Sequence, residues 1–341
     1  MWLLLVACGA SHDDRIAPVT VTVDTVGVRD AGPRDAAPDV AADAAVASEV
    51  ETPAGEGWLG PRDATSLIGP AGAAVTGTPT TIVLVHSAAI RVDARSEMVR
   101  KVLLSLLPGW QTFMPYDVVD PLADVDWVLM AGSLTLGRTA SNVFIAHHNL
   151  SEASADVAMA TLSKRLPKVR PVSGFGGGTK AFVAFIDGAD RLYVRPSPGV
   201  LAIVPAADGK RIAELLARVE VPADVRPGEL VRIVDNATQR ITSIPAPVQR
   251  ARYWMLATTG GATIVRLEGD CASESDALAA AAAVRGALDT ANPMMKMVFP
   301  SLAHVDVHTV GTAVRASASL NEDEVRFLGE AMSDRADATH P

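Results

Sequence analysis

The chain has only two cysteines, Cys8 and Cys271, in 341 residues. Two thiols cannot build a disulfide framework, so any stable body must rest on a packed core. Aromatic residues make up 4% of the sequence, which leaves that core to aliphatic side chains and alanine. Basic residues are outnumbered, 30 Lys and Arg against 39 Asp and Glu, for a net charge of −9. A nucleic-acid partner is excluded on that ground, because binding a phosphate backbone needs a basic surface. After the N-terminus there is no run of about 18 apolar residues, so no membrane-spanning helix is expected. Helical periods interrupt the strands, which argues against a membrane β-barrel. The signatures G-x-S-x-G, H-E-x-x-H and C-x-x-C are also missing.

What is present is hydrophobic and alternating. Apolar residues make up 49% of the chain and the mean hydropathy is +0.23. The clearest stretch is Tyr253 to Leu288. Two apolar runs flank Gly260-Gly261, a hairpin signal because glycine takes positive φ at no steric cost. Ser273 then stands as a helix N-cap with Asp276 three residues on, where its charge suits the first turn. Ala277, Ala281, Val284 and Leu288 follow at helical spacing. A hairpin with one helix cannot bury its own apolar face, so such a unit needs neighbours.

The N-terminal run Met1-Trp2-Leu3-Leu4-Leu5-Val6-Ala7-Cys8 is short and apolar. Within it, Leu5-Val6-Ala7-Cys8 resembles the lipobox of bacterial lipoproteins. The resemblance implies cleavage before Cys8, acylation of Cys8 and a lipid anchor, and Gly9 after the cysteine implies export to the outer membrane. Residues 9–57 read as a tether. Asp30 to Ser48 is almost entirely Asp, Ala, Pro and Val, with too little bulk to offset the entropy of ordering it. A flexible tether of that length reaches about 35–40 Å. The layout of anchor, spacer and body also resembles uncharacterised myxobacterial-type envelope lipoproteins, a likeness that brings no activity with it.

The body reads as four strand-strand-helix units. Residues 80–90 predict a buried strand, and Val99 to Leu106 a helix ended by Pro108-Gly109. The first unit has strands over Trp127–Ala131 and Asn142–His147, then a helix capped by Asn149 with Glu152. The second has strands at Ala181–Ile186, Leu192–Val194 and Val200–Val204, with a turn at Asp187-Gly188 and a helix capped by Asp208. A strand over Glu229–Val234 precedes the third unit, the Tyr253 stretch. The fourth has strands over His304–Val310 and Thr312–Leu320, then a capping box of Asn321 with Glu324. The fold class expected is α+β, with antiparallel sheets carrying helices on one face in two similar ferredoxin-like lobes, 58–228 and 229–333, before a tail at 334–341.

Candidate chemistry is sparse. Gly174 to Lys180 is glycine-rich but lacks the GxxxxGK[ST] order and precedes a strand, so it reads as a loop. His147-His148 closes a strand, which sends the rings to opposite faces, and His304 and His308 share one strand too far apart to hold one metal. Met294, Met295 and Met297 form a thioether cluster of the kind that suits Cu(I), against the commoner reading of gap-filling core methionine. Asp117, Asp120, Asp124 and Asp126 make an acidic segment of no known loop spacing. Arg250, Arg252, Tyr253 and Trp254 are a basic-aromatic edge suited to a glycan or protein partner. Cys271 reads as a buried structural thiol.

No cofactor is expected. The function expected is a non-catalytic, lipid-anchored envelope protein, held to the outer membrane through Cys8 and binding another envelope protein as scaffold or partner module. A periplasmic small-ligand or copper carrier is the alternative, and an enzyme of unfamiliar type the third.

Overall fold

The computed structural model describes residues 81–93, 96, 99–100, 110–132, 142–172, 180–217, 228–236, 247–258, 262–291 and 293–328. The expectations for residues 1–8, the 9–57 tether, the 174–179 glycines, Gly260-Gly261 and the 334–341 tail lie outside them, as does most of the helix expected over 99–106.

The strands are β1 (Thr81–Val85), β2 (Val125–Gly132), β3 (Val143–His148), β4 (Arg170–Pro171), β5 (Ala181–Ile186), β6 (Ala189–Ser197), β7 (Val200–Pro205), β8 (Glu229–Asn236), β9 (Val248–Ala257), β10 (Thr263–Cys271), β11 (Asp306–Val310) and β12 (Ala313–Leu320). The helices are α1 (Ser87–Val92), α2 (Trp110–Phe113), α3 (Glu152–Arg165), α4 (Gly209–Leu216), α5 (Glu274–Asp289), α6 (Pro293–Val298) and α7 (residues 322–328), with a 3₁₀ turn at Pro300–His304. The protein is therefore mixed α+β with one large antiparallel sheet. Among the described residues twelve strands run in the order β11-β12-β10-β9-β8-β1-β2-β3-β7-β6-β5-β4.

One arrangement occurs on each side of the sheet centre. Hairpin β2-β3 leads into α3, and the later hairpin β6-β7 returns so that β7 pairs with β3. Hairpin β9-β10 leads into α5, and β11-β12 returns so that β12 pairs with β10. The two sides meet where β1 pairs with β8, Thr81 opposite Asp235 and Val85 opposite Val231. The boundary expected at 228/229 thus falls at a seam across which the sheet is continuous.

Two apolar clusters lie on opposite faces, because odd and even residues of a strand point opposite ways. Val83, Val85, Met130, Phe144 and Ile203 share one with Met159 and Leu162 of α3 and with Ala281 and Val284 of α5. Ile82, Leu84, Leu129, Ile145 and Val204 share the other with Ile212 and Leu216 of α4. The helices therefore do not all lie on one face, which corrects the expectation. The reason is in the strands: β1 and β7 are apolar at both parities, so both faces need cover. In β10 and β12 burial alternates strictly over most of the strand, which leaves one face polar.

Local signals resolve unevenly. The strand expected over 80–90 stops at Val85, and Ser87–Val92 is helical. In α3 the N-cap is Ser151, whose Oγ accepts from Ser154 N at 3.1 Å, in place of Asn149. Ser273 caps α5 as read, accepting from Asp276 N at 3.1 Å. The box at Asn321 closes both ways, with Asn321 N donating to Glu324 Oε2 at 2.8 Å and Glu324 N to Asn321 Oδ1 at 3.0 Å. Asp208 sits at the N-cap of α4 without a side-chain capping bond. His304 ends the 3₁₀ turn, and the strand starts at Asp306.

Candidate functional site

Strand β9 reads VQRARYWMLA, with polar and apolar residues alternating from Arg250 to Tyr253. Arg250, Arg252 and Trp254 therefore share one face, while Ala251, Tyr253 and Met255 enter the core on the other. This separates Tyr253 from the three residues grouped with it by sequence. It also corrects the edge: β9 lies inside the sheet, hydrogen-bonded to β8 and β10. Among the described residues the edges are β11 and β4.

The face that carries Arg252 is a ladder of opposite charges. Register sets Arg252 opposite Glu268 of β10, and Glu268 opposite Arg315 of β12. Arg252 Nη2 lies 2.6 Å from Glu268 Oε1, and Arg315 Nε donates to Glu268 Oε2 at 2.7 Å, so both oxygens of one buried carboxylate are engaged. Asp270 also accepts from Arg252 Nη2. Trp254 stands opposite Arg232 on one side and Arg266 on the other. Cross-strand pairs of this kind stabilise a sheet by about 0.2–1 kcal/mol each.

At the seam the ladder ends in a wholly buried group. Arg232 donates twice to Glu229, Nε to Oε1 and Nη2 to Oε2, both at 2.6 Å. His86 Nε2 lies 3.5 Å from the same Oε1. Burial pushes the Glu229 carboxyl up, but the close approach of His86 and the hydrogen bonds and charge of Arg232 outweigh it and hold the group below the usual carboxylate range. Burial alone draws the Arg266 guanidinium below its ordinary value.

Five arginines (232, 250, 252, 266 and 315) thus face three carboxylates (Glu229, Glu268, Asp270) on this part of a net-acidic chain. Trp254 Nε1, Arg250 Nε and Arg252 Nε are buried donors with no acceptor among the described residues. The partly exposed members of this surface are three arginines, Arg250, Arg266 and Arg315, against the one carboxylate of Asp270, so chemically that portion suits an anionic, acceptor-bearing partner. Glu229, Arg232, Arg266, Glu268, Asp270 and Arg315 were not singled out from sequence. The period-two pattern Arg266-x-Glu268-x-Asp270 beside Arg250-x-Arg252 was the available signal.

The other candidates are dispersed. Asp117 pairs with Arg165, Asp120 with Arg100 at 2.8 Å, and Asp126 with Arg91 at 2.8 Å, while Asp124 Oδ2 accepts from Asp120 N at 2.9 Å. Each carboxylate holds a different structural contact and they do not converge. His147 stacks on Trp127 and approaches Asp126 Oδ2 at 3.1 Å. Met294 and Met297 are exposed on α6, and the side chain of Met295 lies outside the described part. Among the described residues no three His, Cys, Asp or Glu side chains converge as a metal site. Cys271 is buried; burial pushes its thiol up, and Asp276 and Asp270 add to the effect. Among the described residues no helix is long and apolar enough to cross a membrane.

No protein-family model matches this chain, and no curated protein matches it. Among solved structures, crystal form I of TP0453 aligns with a TM-score of 0.43 and 8% identity, over 81% of this chain and 99% of that one. Likeness of that degree assigns neither fold nor function.

Proposed function

We propose that this is a lipid-anchored envelope protein, tethered to the outer membrane through Cys8, which binds an envelope protein as a non-catalytic scaffold or partner module. The observation that carries the binding part is the donor-rich ladder across β8, β9, β10 and β12. Its partly exposed members, Arg250, Arg266, Asp270 and Arg315, form the accessible portion. The partner it fits is a protein surface rich in carboxylates, because guanidinium groups in fixed rows match carboxylate geometry. The anchor rests on the lipobox resemblance, and the long acidic spacer gives the body reach away from the membrane. The finer architecture, two similar ferredoxin-like lobes, is supported by the recurrence of hairpin, helix and returning hairpin on each side of the β1-β8 seam.

The test is crosslinking of the acylated full chain in its native envelope, followed by the same experiment with Arg250→Glu and Arg315→Glu combined. One protein recovered reproducibly with the wild type and lost with the folded variant is the expected result. Equal recovery with both chains, or no partner with either, would remove the partner reading. Palmitate labelling that survives Cys8→Ser would remove the anchor.

A further inference from the structure

The last residue of β3, His148, points into the core beneath α3. It is 4% exposed, no side chain hydrogen-bonds either ring nitrogen among the described residues, and the Leu150 backbone lies beside the ring. Its backbone N–H donates to Gly199 O at 2.7 Å, so the strand cannot swing the ring outward without losing that bond. A small cavity opens beside the ring between α3 and the sheet, lined by Val125, Leu150, Ala158, Met159 and Arg195 among others. Every wall except His148 and Arg195 is apolar.

A buried imidazole with no side-chain partner tolerates neutrality far better than charge. We propose that α3 is a pH-sensitive latch: it seats on the sheet while His148 is neutral and lifts when His148 takes a proton.

Burial and the charges around the ring together set the direction. From β6, Arg195 lies close, its side chain 9% exposed, with Nη1 on Asp156 Oδ1 at 2.6 Å and Nη2 on Glu152. From α3, Glu152 and Asp156 face the same region, but both are committed to Arg195, and Asp156 also to Lys180 at 2.6 Å. His147, on the opposite face of β3, adds a weaker repulsion. The 119–125 segment turns Asp120 to Arg100 and Asp124 to its own backbone, and β7 contributes only Leu201. Burial first, then Arg195, draws the imidazole below its ordinary value, while Glu152 and the Leu150 backbone oppose them without reversing the direction. The seated state therefore prefers the neutral ring. Its stability is full above about pH 6.5 and is lost as pH falls through the seated-state value. The free energy lost falls on the helix whose Ala155, Ala158, Met159 and Leu162 cover this part of the sheet.

The experiment is amide hydrogen exchange of the full chain, read as protection factors over 155–165 between pH 8 and pH 5. Protection in the wild type should fall by up to tenfold for each pH unit below about 6.5, and His148→Phe should abolish that dependence. A flat profile in the wild type, or the same slope in both chains, overturns the proposal. Nuclear magnetic resonance of the wild-type rings supplies a check without a core mutation. His148 should titrate below about 6.5, and lower still in Glu152→Gln, where the opposing carboxylate is gone. A midpoint at or above the ordinary value, or no downward shift in that variant, also overturns it.

Discussion

The buried pair at the seam makes a sharp prediction. Glu229 is fully buried and the side chain of Arg232 is 4% exposed, so neither is screened by solvent. Arg232→Met removes both hydrogen bonds and leaves a carboxylate buried beside a histidine 3.5 Å away. Losing one partner of such a pair costs about 3–5 kcal/mol, most of it the desolvation of the charge left behind. Glu229→Leu alone strands the guanidinium and should cost a similar amount. The double variant Glu229→Leu with Arg232→Met buries no unpaired charge, and should return to within about 1 kcal/mol of the wild type. Urea unfolding of all four chains measures this, provided the slope is unchanged so that midpoints report stability. The pH dependence follows with a definite sign. Glu229 is held below its unfolded value, so its contribution is present above that value and lost as pH falls through the folded one. The double variant should therefore lack part of the acid destabilisation of the wild type. If Arg232→Met loses under about 1 kcal/mol, or the double variant loses the sum of the singles, the seam does not depend on this pair.

Four further outcomes test the packing. Gly228→Ala should destabilise by about 1–3 kcal/mol in thermal unfolding, because φ is +76° and a Cβ would lie 2.5 Å from the Ala257 carbonyl oxygen. Gly188→Asn should stay within about 1 kcal/mol of the wild type, because φ is also +76° but a Cβ would meet nothing within 4 Å and asparagine tolerates that backbone. Ser273→Ala should cost about 1 kcal/mol by removing the bond to Asp276 N, and Ser273→Thr should restore most of it. Leu162→Ala should cost about 2–5 kcal/mol by leaving a cavity under α3, measured by urea midpoint.

The parts of the fold legible in the sequence are those where a local pattern and the tertiary environment agree. The third unit is one: β9 and β10 pair as a hairpin, Thr258 N bonds to Ala262 O at 3.0 Å beyond the strand ends, and α5 begins at its expected cap. Asn321 with Glu324 is another, since a capping box is complete within four residues. The misreadings arise where two local signals compete. In TTIVLVHSAAI the apolar run Ile82 to Val85 and the apolar Ala88 to Ile90 read as one strand, and only the polar pair His86-Ser87 marks the change to helix. Ser151 outcompeted Asn149 because both are good caps two residues apart. Sheet order was not legible, and neither was the site. Whether β9 is an edge or an interior strand depends on residues far away in the chain. The same holds for the ladder, whose rungs come from residues 229–232, 252, 266–270 and 315, each unremarkable alone. That the His147 and His148 rings diverge is legible from the period of two, but the burial of His148 is not, because α3 and Arg195 cover it from other parts of the chain.

The β1-β8 seam has a consequence for the order of assembly. Thr81 and Asp235 are 154 residues apart, whereas β8, β9 and β10 follow one another along the chain. Closing a loop of that length costs roughly 3 kcal/mol more entropy than closing a hairpin of a few residues. Hairpins on either side can therefore form before the seam does. A chain that emerges from its N-terminus presents β1 first, and β1 has only β2 beside it until β8 arrives. During that interval its free edge is a row of unpaired amides and carbonyls on an apolar strand. Synthesis that stalls after residue 205 and before 229 would leave that edge open longest, and it is where association between unfinished chains should begin.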